Sequence, residues 1–281
     1  DMVMLGRPLL ADPQWPNKAY AGRVEDILPC IGCQEGCLNE FVEGGHPQCA
    51  VNPRTAFEDV YPAVPPKAVC PKRVAVVGAG PAGVMLAVTA ARRGHAVTLF
   101  EKSGQVGGRL VPGGVPKIKY EIQNYRRWLE HEVESAVREN GLEFRANTFV
   151  DAESLKEAGF DAVIFAIGSA DSTLPLPGAE QAPIVQATEL LVKPELLGDA
   201  KNVVVVGAGV VGCETAHWLK YEHNREVTVV EMTPFIMNKV CTANRGYLIH
   251  HLRAAGVKLL NCTRVTGFEK GGVKVMRNVS P

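Results

Sequence analysis

Four cysteines, Cys30, Cys33, Cys37 and Cys49, are separated by two, three and eleven residues in PCIGCQEGCLNEFVEGGHPQCAVNP. Such spacing brings three thiolates onto one tight loop and lets a fourth close the set from a distance. Four thiolates suit zinc or an iron-sulfur cluster. Structural zinc more often shows two separated CxxC knuckles, so a compact run of three with a remote fourth favours a 4Fe-4S cluster. His46 lies three residues before Cys49, but Gly44, Gly45 and Pro47 around it mark a solvated loop residue rather than a ligand.

Glycines carry the second chemistry. Gly78, Gly80 and Gly83 follow an apolar run, Val74 to Val77, in RVAVVGAGPAGVMLAVTAARRGHAVTLFEK. They supply a tight turn, close backbone approach to a pyrophosphate and close helix contact. The helix opening on Pro81 and Ala82 points amide donors and its positive dipole end at the phosphates. Glu101, followed by Lys102, closes the next strand, where a carboxylate can accept hydrogen bonds from a ribose. The segment NVVVVGAGVVGCETAHWLKYEHNREVTVVE repeats this theme. Gly207, Gly209 and Gly212 stand 129 residues beyond the first triplet, Glu231 stands 130 beyond Glu101, and the helix opens on Val210 and Val211. Two such units with matched acids imply two dinucleotides. Glu231 would repel a 2′-phosphate and residues 232–238 hold no arginine, so NADH is expected over NADPH. Cys213 is expected as a small packed residue, and His217 and His223 as structural.

The elements that position these residues follow from periodicity. Strands are expected at both apolar runs before the glycines and at DAVIFAIGS, with VKLLN and GGVKVM as shorter β pieces. From Lys117 to Glu139, Ile118, Ile122, Tyr125, Leu129, Val133 and Val137 form the stripe of an amphipathic helix facing a core, with Arg126 and Arg127 on its solvated side. A second helix is expected over Thr242–Ala255. Pro53 to Pro71, with five prolines, is an extended linker in which Cys70 is structural. Asp1 to Leu10 has a strand-like run broken by Gly6-Arg7, and Ala11 to Ala21 a loop or short helix.

With 281 residues the chain has room for about two domains. Its 30 basic and 30 acidic residues cancel, which gives no electrostatic case for nucleic acid or an anionic membrane. No apolar run approaches the roughly 20 residues of a membrane span, and no signal-peptide layout opens the chain. A cytoplasmic protein acting on small molecules is expected. The eight cysteines suit metal rather than disulfides in so long a nucleotide-binding chain.

LGRPLLADPQWPNKAYAG resembles the last strand and loop of the flavin-binding barrel in the old-yellow-enzyme family. PCIGCQEGC with CAVNP resembles the cluster loop of its 2-enoate and 2,4-dienoyl-CoA reductase branch, and VVGCETAHWL carries the same likeness. The resemblance implies that Gly6 and Arg7 help hold the phosphate of FMN. It further implies that Gly107, Gly108 and Arg109 approach the FAD diphosphate and that Val150 lies near the adenine. Ala166-Ile167-Gly168 would form the turn between the two nucleotide domains. Isoleucine there departs from the family's threonine, so a hydroxyl is lost, while Ala166 and the turn glycine Gly168 remain.

The expected fold is thus α/β, with two Rossmann-like dinucleotide-binding units of the glutathione-reductase-like FAD/NAD(P) type. Residues 1–29 would be the barrel tail, 30–71 the cluster loop and linker, 72–180 the first part of the FAD domain, and 181–281 the NADH domain. The resemblance implies electron flow from NADH to FAD, singly through a 4Fe-4S cluster to FMN, and on to an activated carbon-carbon double bond. FMN and the proton donor would lie on a barrel outside this chain, which itself is expected to be a fragment. No Gly-Asp motif follows Glu231 to complete the FAD site, so weakened FAD retention is expected. The partners are then a small-molecule substrate, the cofactors and the barrel domain as electron acceptor, with a homo-oligomer left open and no nucleic acid or membrane. Two alternatives stay open: an NADH/FAD electron-input subunit resembling the glutamate synthase small subunit, and a non-catalytic metal-stapled nucleotide-binding module. A disulfide reductase is disfavoured, because no CxxxxC pair follows Glu101.

Overall fold

A computed structural model describes residues 2–277, so residue 1 of the expected barrel tail and residues 278–281 of the expected NADH domain lie outside it. The chain forms two compact units. The first comprises Asp1–Gly32, Gly36–Gly114 and Tyr120–Ser169, and the second Cys33–Glu35, Val115–Lys119 and Ala170–Pro281. The break after Ser169 falls earlier than the expected boundary at 180, because the chain leaves the first sheet directly after its last strand.

In the first unit, strands β1 (Arg73–Val77), β2 (Ala96–Phe100), β3 (Glu143–Arg145) and β4 (Ala162–Phe165) make a parallel sheet of order β3-β2-β1-β4. Val74 of β1 stands opposite Val97 on one side and Ala162 on the other. The helices are α1 (Arg7–Ala11), α2 (Trp15–Tyr20), α3 (Glu40–Val42), α4 (Pro81–Arg92), α5 (Leu110–Gly113), α6 (Tyr120–Asn140) and α7 (Ala152–Glu157). Side chains along a strand alternate between faces. Val74, Val76, Val97 and Leu99 accordingly pack with Val84 and Val88 of α4 and Leu129 and Val133 of α6, whereas Ala75 and Phe100 meet Leu155 of α7 on the opposite face. Ala87 and Ala91 of α4 are buried in the same core. Asp151 begins α7 with a capping box: it accepts from the Ser154 N–H at 2.9 Å while its own N–H donates to Ser154 Oγ.

Three expectations change here. Helix α6 begins at Tyr120, after a short 3-10 turn at Lys117–Lys119, and its buried face is rotated from the expected stripe. Trp128, Glu132 and Ala136 are buried with Tyr125, Leu129 and Val133, while Val137 is exposed. Within the strand-like run at 1–10, residues 2–6 are instead irregular and the chain is helical from Arg7. Pro8 suits a first helical turn, where no N–H is needed. Cys70 is exposed rather than packed.

Residues 7–29 belong to the core of this unit through Ala11 and Leu28. Asp12, buried, is their hub: its carboxylate accepts from Lys18 Nζ at 2.6 Å and from the N–H groups of Gln14 and Leu28, both at 2.9 Å. Asp26 ties them to α6, its carbonyl accepting from Trp128 Nε1 and its carboxylate bonding His131.

The second unit holds helix α8 (Ala187–Val192), strand β5 (Asn202–Val206), helix α9 (Val210–Tyr221), strand β6 (Glu226–Val230), helix α10 (Thr242–Ala254) and strands β7 (Lys258–Leu260), β8 (Thr263–Glu269) and β9 (Gly272–Arg277). Strands β5, β6 and β7 form a parallel sheet of that order, and β8-β9 is an antiparallel hairpin. Strand β8, TRVTGFE, was not expected. Its partner β9 buries little, so alternation within a two-stranded hairpin is a weak signal. No helix among the described residues is long and apolar enough to cross a membrane.

Candidate functional site

The turn after β1 shows why each glycine of the first triplet is needed. Gly78 has φ +104°, and a Cβ there would lie 2.5 Å from the Ala166 carbonyl oxygen. A Cβ on Gly83 would lie 1.8 Å from the Gly78 oxygen, so the helix can meet its own turn only through hydrogen. Gly80 faces open space, with no atom within 4 Å of the place a Cβ would take. The second triplet repeats this. Gly207 has φ +98°, Gly209 faces open space, and a Cβ on Gly212 would lie 2.0 Å from the Gly207 oxygen.

Both helices start without a side-chain cap, Gly80 and Gly209 being the N-cap residues. The first N–H groups of a helix need partners, and twelve-residue helices carry a positive end worth an anion there. In α4, Pro81 removes one donor and leaves those of Ala82 and Gly83. In α9, Val210, Val211 and Gly212 all keep theirs.

Glu101 is buried, and a buried carboxylate is tolerated only with donors around it. Its Oε2 accepts from the Ala79 N–H at 2.8 Å, and its Oε1 accepts from the Ser103 N–H at 2.8 Å and the Ser103 hydroxyl at 2.9 Å. Glu231 is held alike, by the Ala208 N–H at 2.9 Å and the Thr233 N–H at 2.8 Å. Burial pushes the Glu231 carboxyl up, but these donors outweigh it and leave the group below its ordinary value. Each carboxylate oxygen can accept twice. Both carboxylates therefore keep acceptor capacity for a ribose hydroxyl. Ser103 and Thr233 are functional neighbours that sequence reasoning missed. A hydroxyl two residues after each acid was the available signal.

The loop after β2 lies against the first turn. Gly107 donates its N–H to the Ala79 carbonyl at 2.9 Å, and a Cβ on Gly108 would come within 3.1 Å of Gly80 Cα. Arg126 is a further correction: its stem lies over Gly107, 2.8 Å from a Cβ there, and its guanidinium pairs with Glu130 at 2.8 Å, so it is not simply a solvated residue. Lys102 and Arg109 are exposed, Arg109 donating to the Ser169 carbonyl at 2.6 Å. Val150 is half-buried and packs against Ala75, Phe100 and Leu155. Ala166 and Gly168, with φ +69° at the glycine, form the turn over Gly78, and Ile167 is exposed.

Cys213 is fully buried, and burial first, then Glu214 and Glu231, push its thiol up to about 12. It is a packed residue, as expected. His217 stacks on Tyr221 and His223 meets Trp218, both as structural residues.

The four loop cysteines form no disulfide, each is half-buried, and Cys30 and Cys49 touch the core of the first unit. Cys30 Sγ accepts from the Gly32 N–H at 3.5 Å, and the Gln48 N–H donates to the Gly36 carbonyl, tying the neighbour of Cys49 to the neighbour of Cys37. Thiol donors of this kind fit a thiolate-held metal group, yet among the described residues no three His, Cys, Asp or Glu side chains stand together as a metal-holding set. Gly6 and Arg7 are exposed at the start of a five-residue helix.

Two uncapped glycine turns, each beside a braced carboxylate at the end of the next strand, define a protein of the FAD/NAD(P)-binding Rossmann type. Residues 72–280 match the Pyridine nucleotide-disulphide oxidoreductase family, and the chain belongs to it. It is 40% identical over 252 residues to cinnamate reductase of Clostridium sporogenes, covering 89% of this chain and 36% of that protein. It is 42% identical over 235 residues to NADH oxidase of Thermoanaerobacter brockii, covering 83% and 35%. A solved structure of 2-naphthoyl-CoA reductase with 2-naphthoyl-CoA matches with a TM-score of 0.89 and 28% identity, over 96% of this chain and 40% of that one. The chain thus spans little more than a third of the length of these curated relatives.

Proposed function

We propose that this chain is the electron-input part of an NADH-dependent iron-sulfur flavoprotein of the enoate reductase type. The observation that carries this is the pair of equivalent glycine turns, each with an open N-cap glycine and a carboxylate retaining acceptor capacity. The first unit is the FAD site. Ala82 and Gly83 offer amides to the diphosphate, Gly80, Gly107 and Gly108 clear its approach, and Glu101 receives a ribose hydroxyl. The second unit is the NADH site, with Val210, Val211 and Gly212 as donors and Glu231 on the adenosine ribose. Its carboxylate disfavours a 2′-phosphate. Cys30, Cys33, Cys37 and Cys49 are the proposed thiolate ligands of a 4Fe-4S cluster, on the strength of their spacing. When bound, these groups would supply hydride uptake from NADH by FAD and single-electron passage through the cluster to FMN on a barrel outside this chain. Gly6 and Arg7 are proposed to touch that FMN.

The cinnamate reductase and NADH oxidase relatives support the substrate class, an activated alkene, and the electron donor. Eight cysteines without a disulfide among them suit a reducing, cytoplasmic setting. The test is the flavin, iron, sulfide and zinc content of the anaerobically purified chain. About four iron and four sulfide per chain, one 4Fe-4S cluster, with FAD weakly retained and restored by reconstitution, is the expected result, whereas zinc without iron or sulfide would remove the cluster and its path.

A further inference from the structure

Each carboxylate of the two sites does more in this structure than face a ligand. Glu101 and Glu231 lie at the ends of β2 and β6, yet one oxygen of each accepts the N–H of the residue between the first two glycines, Ala79 at 2.8 Å and Ala208 at 2.9 Å. Both alanines are buried. Their carbonyls are held as well: Gly107 donates to Ala79 at 2.9 Å and Met237 donates to Ala208 at 2.8 Å. The second oxygen of each acid accepts a backbone N–H two residues on, from Ser103 or Thr233. The same four-part arrangement occurs twice in one chain, in units of otherwise different sequence.

An N–H turned inward to a carboxylate is not available to phosphate. It instead fixes the plane of the peptide between the glycines, at the place where their freedom would let the turn wander. Charge-assisted bonds of this kind are among the stronger ones. We infer that Glu101 and Glu231 are positioning residues for the diphosphate, locking the glycine turns through Ala79 and Ala208 in addition to any ribose contact. This inference rests on the dinucleotide reading above. Its consequence is specific. Removing the carboxylate weakens even a nucleotide that has no ribose hydroxyls for it to bind.

The test compares ADP with 2′,3′-dideoxy-ADP as calorimetric probes of the chain and of Glu231→Gln, whose amide keeps one acceptor but neither charge nor the second acceptor. Turn locking weakens both probes about tenfold, which is about 1.4 kcal/mol. A carboxylate that serves ribose alone leaves the dideoxy probe unchanged in the variant, and that result overturns the inference. Amide hydrogen exchange of the ligand-free chain supplies the second arm. Ala208 should exchange faster in Glu231→Gln while Leu219, deep in α9, keeps its protection, and Glu101→Gln should do the same to Ala79. Unchanged exchange at both alanines would also overturn the inference. If the unaltered chain binds neither probe, the dinucleotide reading fails, and the exchange arm still decides whether the carboxylates lock the turns.

Discussion

The two nucleotide units share their turns and differ in their walls. In the first, β1 has neighbours on both sides, and the chain leaving β4 covers Gly78 so closely that a Cβ would lie 2.5 Å from the Ala166 oxygen. In the second, β5 is an edge strand with Val204 and Val206 exposed, and nothing lies within 4 Å of a Cβ on Gly207. The loops after the acids differ likewise. Gly107 and Gly108, at φ +126° and +53°, bring bare backbone to the first turn, whereas the bond to Ala208 is made by Met237, a buried side chain at φ +51°. A turn covered by the chain leaving the sheet suits the more tightly held cofactor, and an open turn suits one that must leave after each turnover. The proposed order, FAD first and NADH second, fits that difference.

Substituting the third glycine tests the difference most severely. Gly83→Ala and Gly212→Ala put a methyl into a carbonyl oxygen, and overpacking of this kind costs about 1–3 kcal/mol. Each should destabilise its own unit and abolish nucleotide binding there, read by melting and by separate FAD and NADH titrations. Equal losses of both cofactors in both variants would dissolve the distinction between the units.

The walls can be tested separately from the turns. Gly108→Ala combines a left-handed backbone with a 3.1 Å approach to Gly80 Cα, strain of about 1–3 kcal/mol. FAD affinity should drop about tenfold, the equivalent of about 1.4 kcal/mol. Asn238→Ala, at the equivalent place 130 residues on, should change NADH affinity less than about twofold, since tenfold is already about 1.4 kcal/mol. A similar loss in both would mean that the second loop also walls a groove.

Acid should separate the units again. Burial, with His251 nearby, lowers the pKa of His217, although Glu222 opposes this, and Glu231 is lowered too. A lowered folded pKa means that the unfolded chain binds more protons, so both contributions hold above the unfolded value and fade as pH falls through the folded one. For His217 the loss begins near the ordinary histidine value of about 6.5. Glu132 in the first unit is raised by burial, against the pull of Arg92, so its contribution grows on acidification. The lowered carboxyls there, Glu143 and Asp151, are exposed and weigh little. Hydrogen exchange should therefore show the second unit loosening first below pH about 6.5, the ordinary histidine value, and His217→Phe should delay it. The smallest effect concerns Cys213: with its thiol pushed up to about 12, alkylation at neutral pH should leave it untouched in the native chain and reach it only after unfolding.

Much of this comparison was legible in the sequence, because glycines needed for sterics and acids at strand ends are local signals. The two triplets stand in the turns after β1 and β5, Glu101 and Glu231 at the ends of β2 and β6, and Cys213 is packed. What escaped was set by tertiary contact. The inward role of the carboxylates depends on where the Ala79 and Ala208 amides point, and Arg126 is drawn to Gly107 by the placement of α6. The exposed Val137 and buried Trp128 show the same limit: a stripe fixes a helix but leaves its rotation to the neighbours it meets. The strand-like run over 1–10 gave way to a helix from Arg7 to Ala11, where Pro8 suits the first turn.

The most direct test of the central claim is anaerobic addition of NADH to the FAD-reconstituted chain. The visible flavin absorption should bleach with one equivalent of NADH, and NADPH should be far less effective because Glu231 faces its 2′-phosphate. Bound NADH beside an unbleached flavin, or equal bleaching by NADPH, would contradict the account.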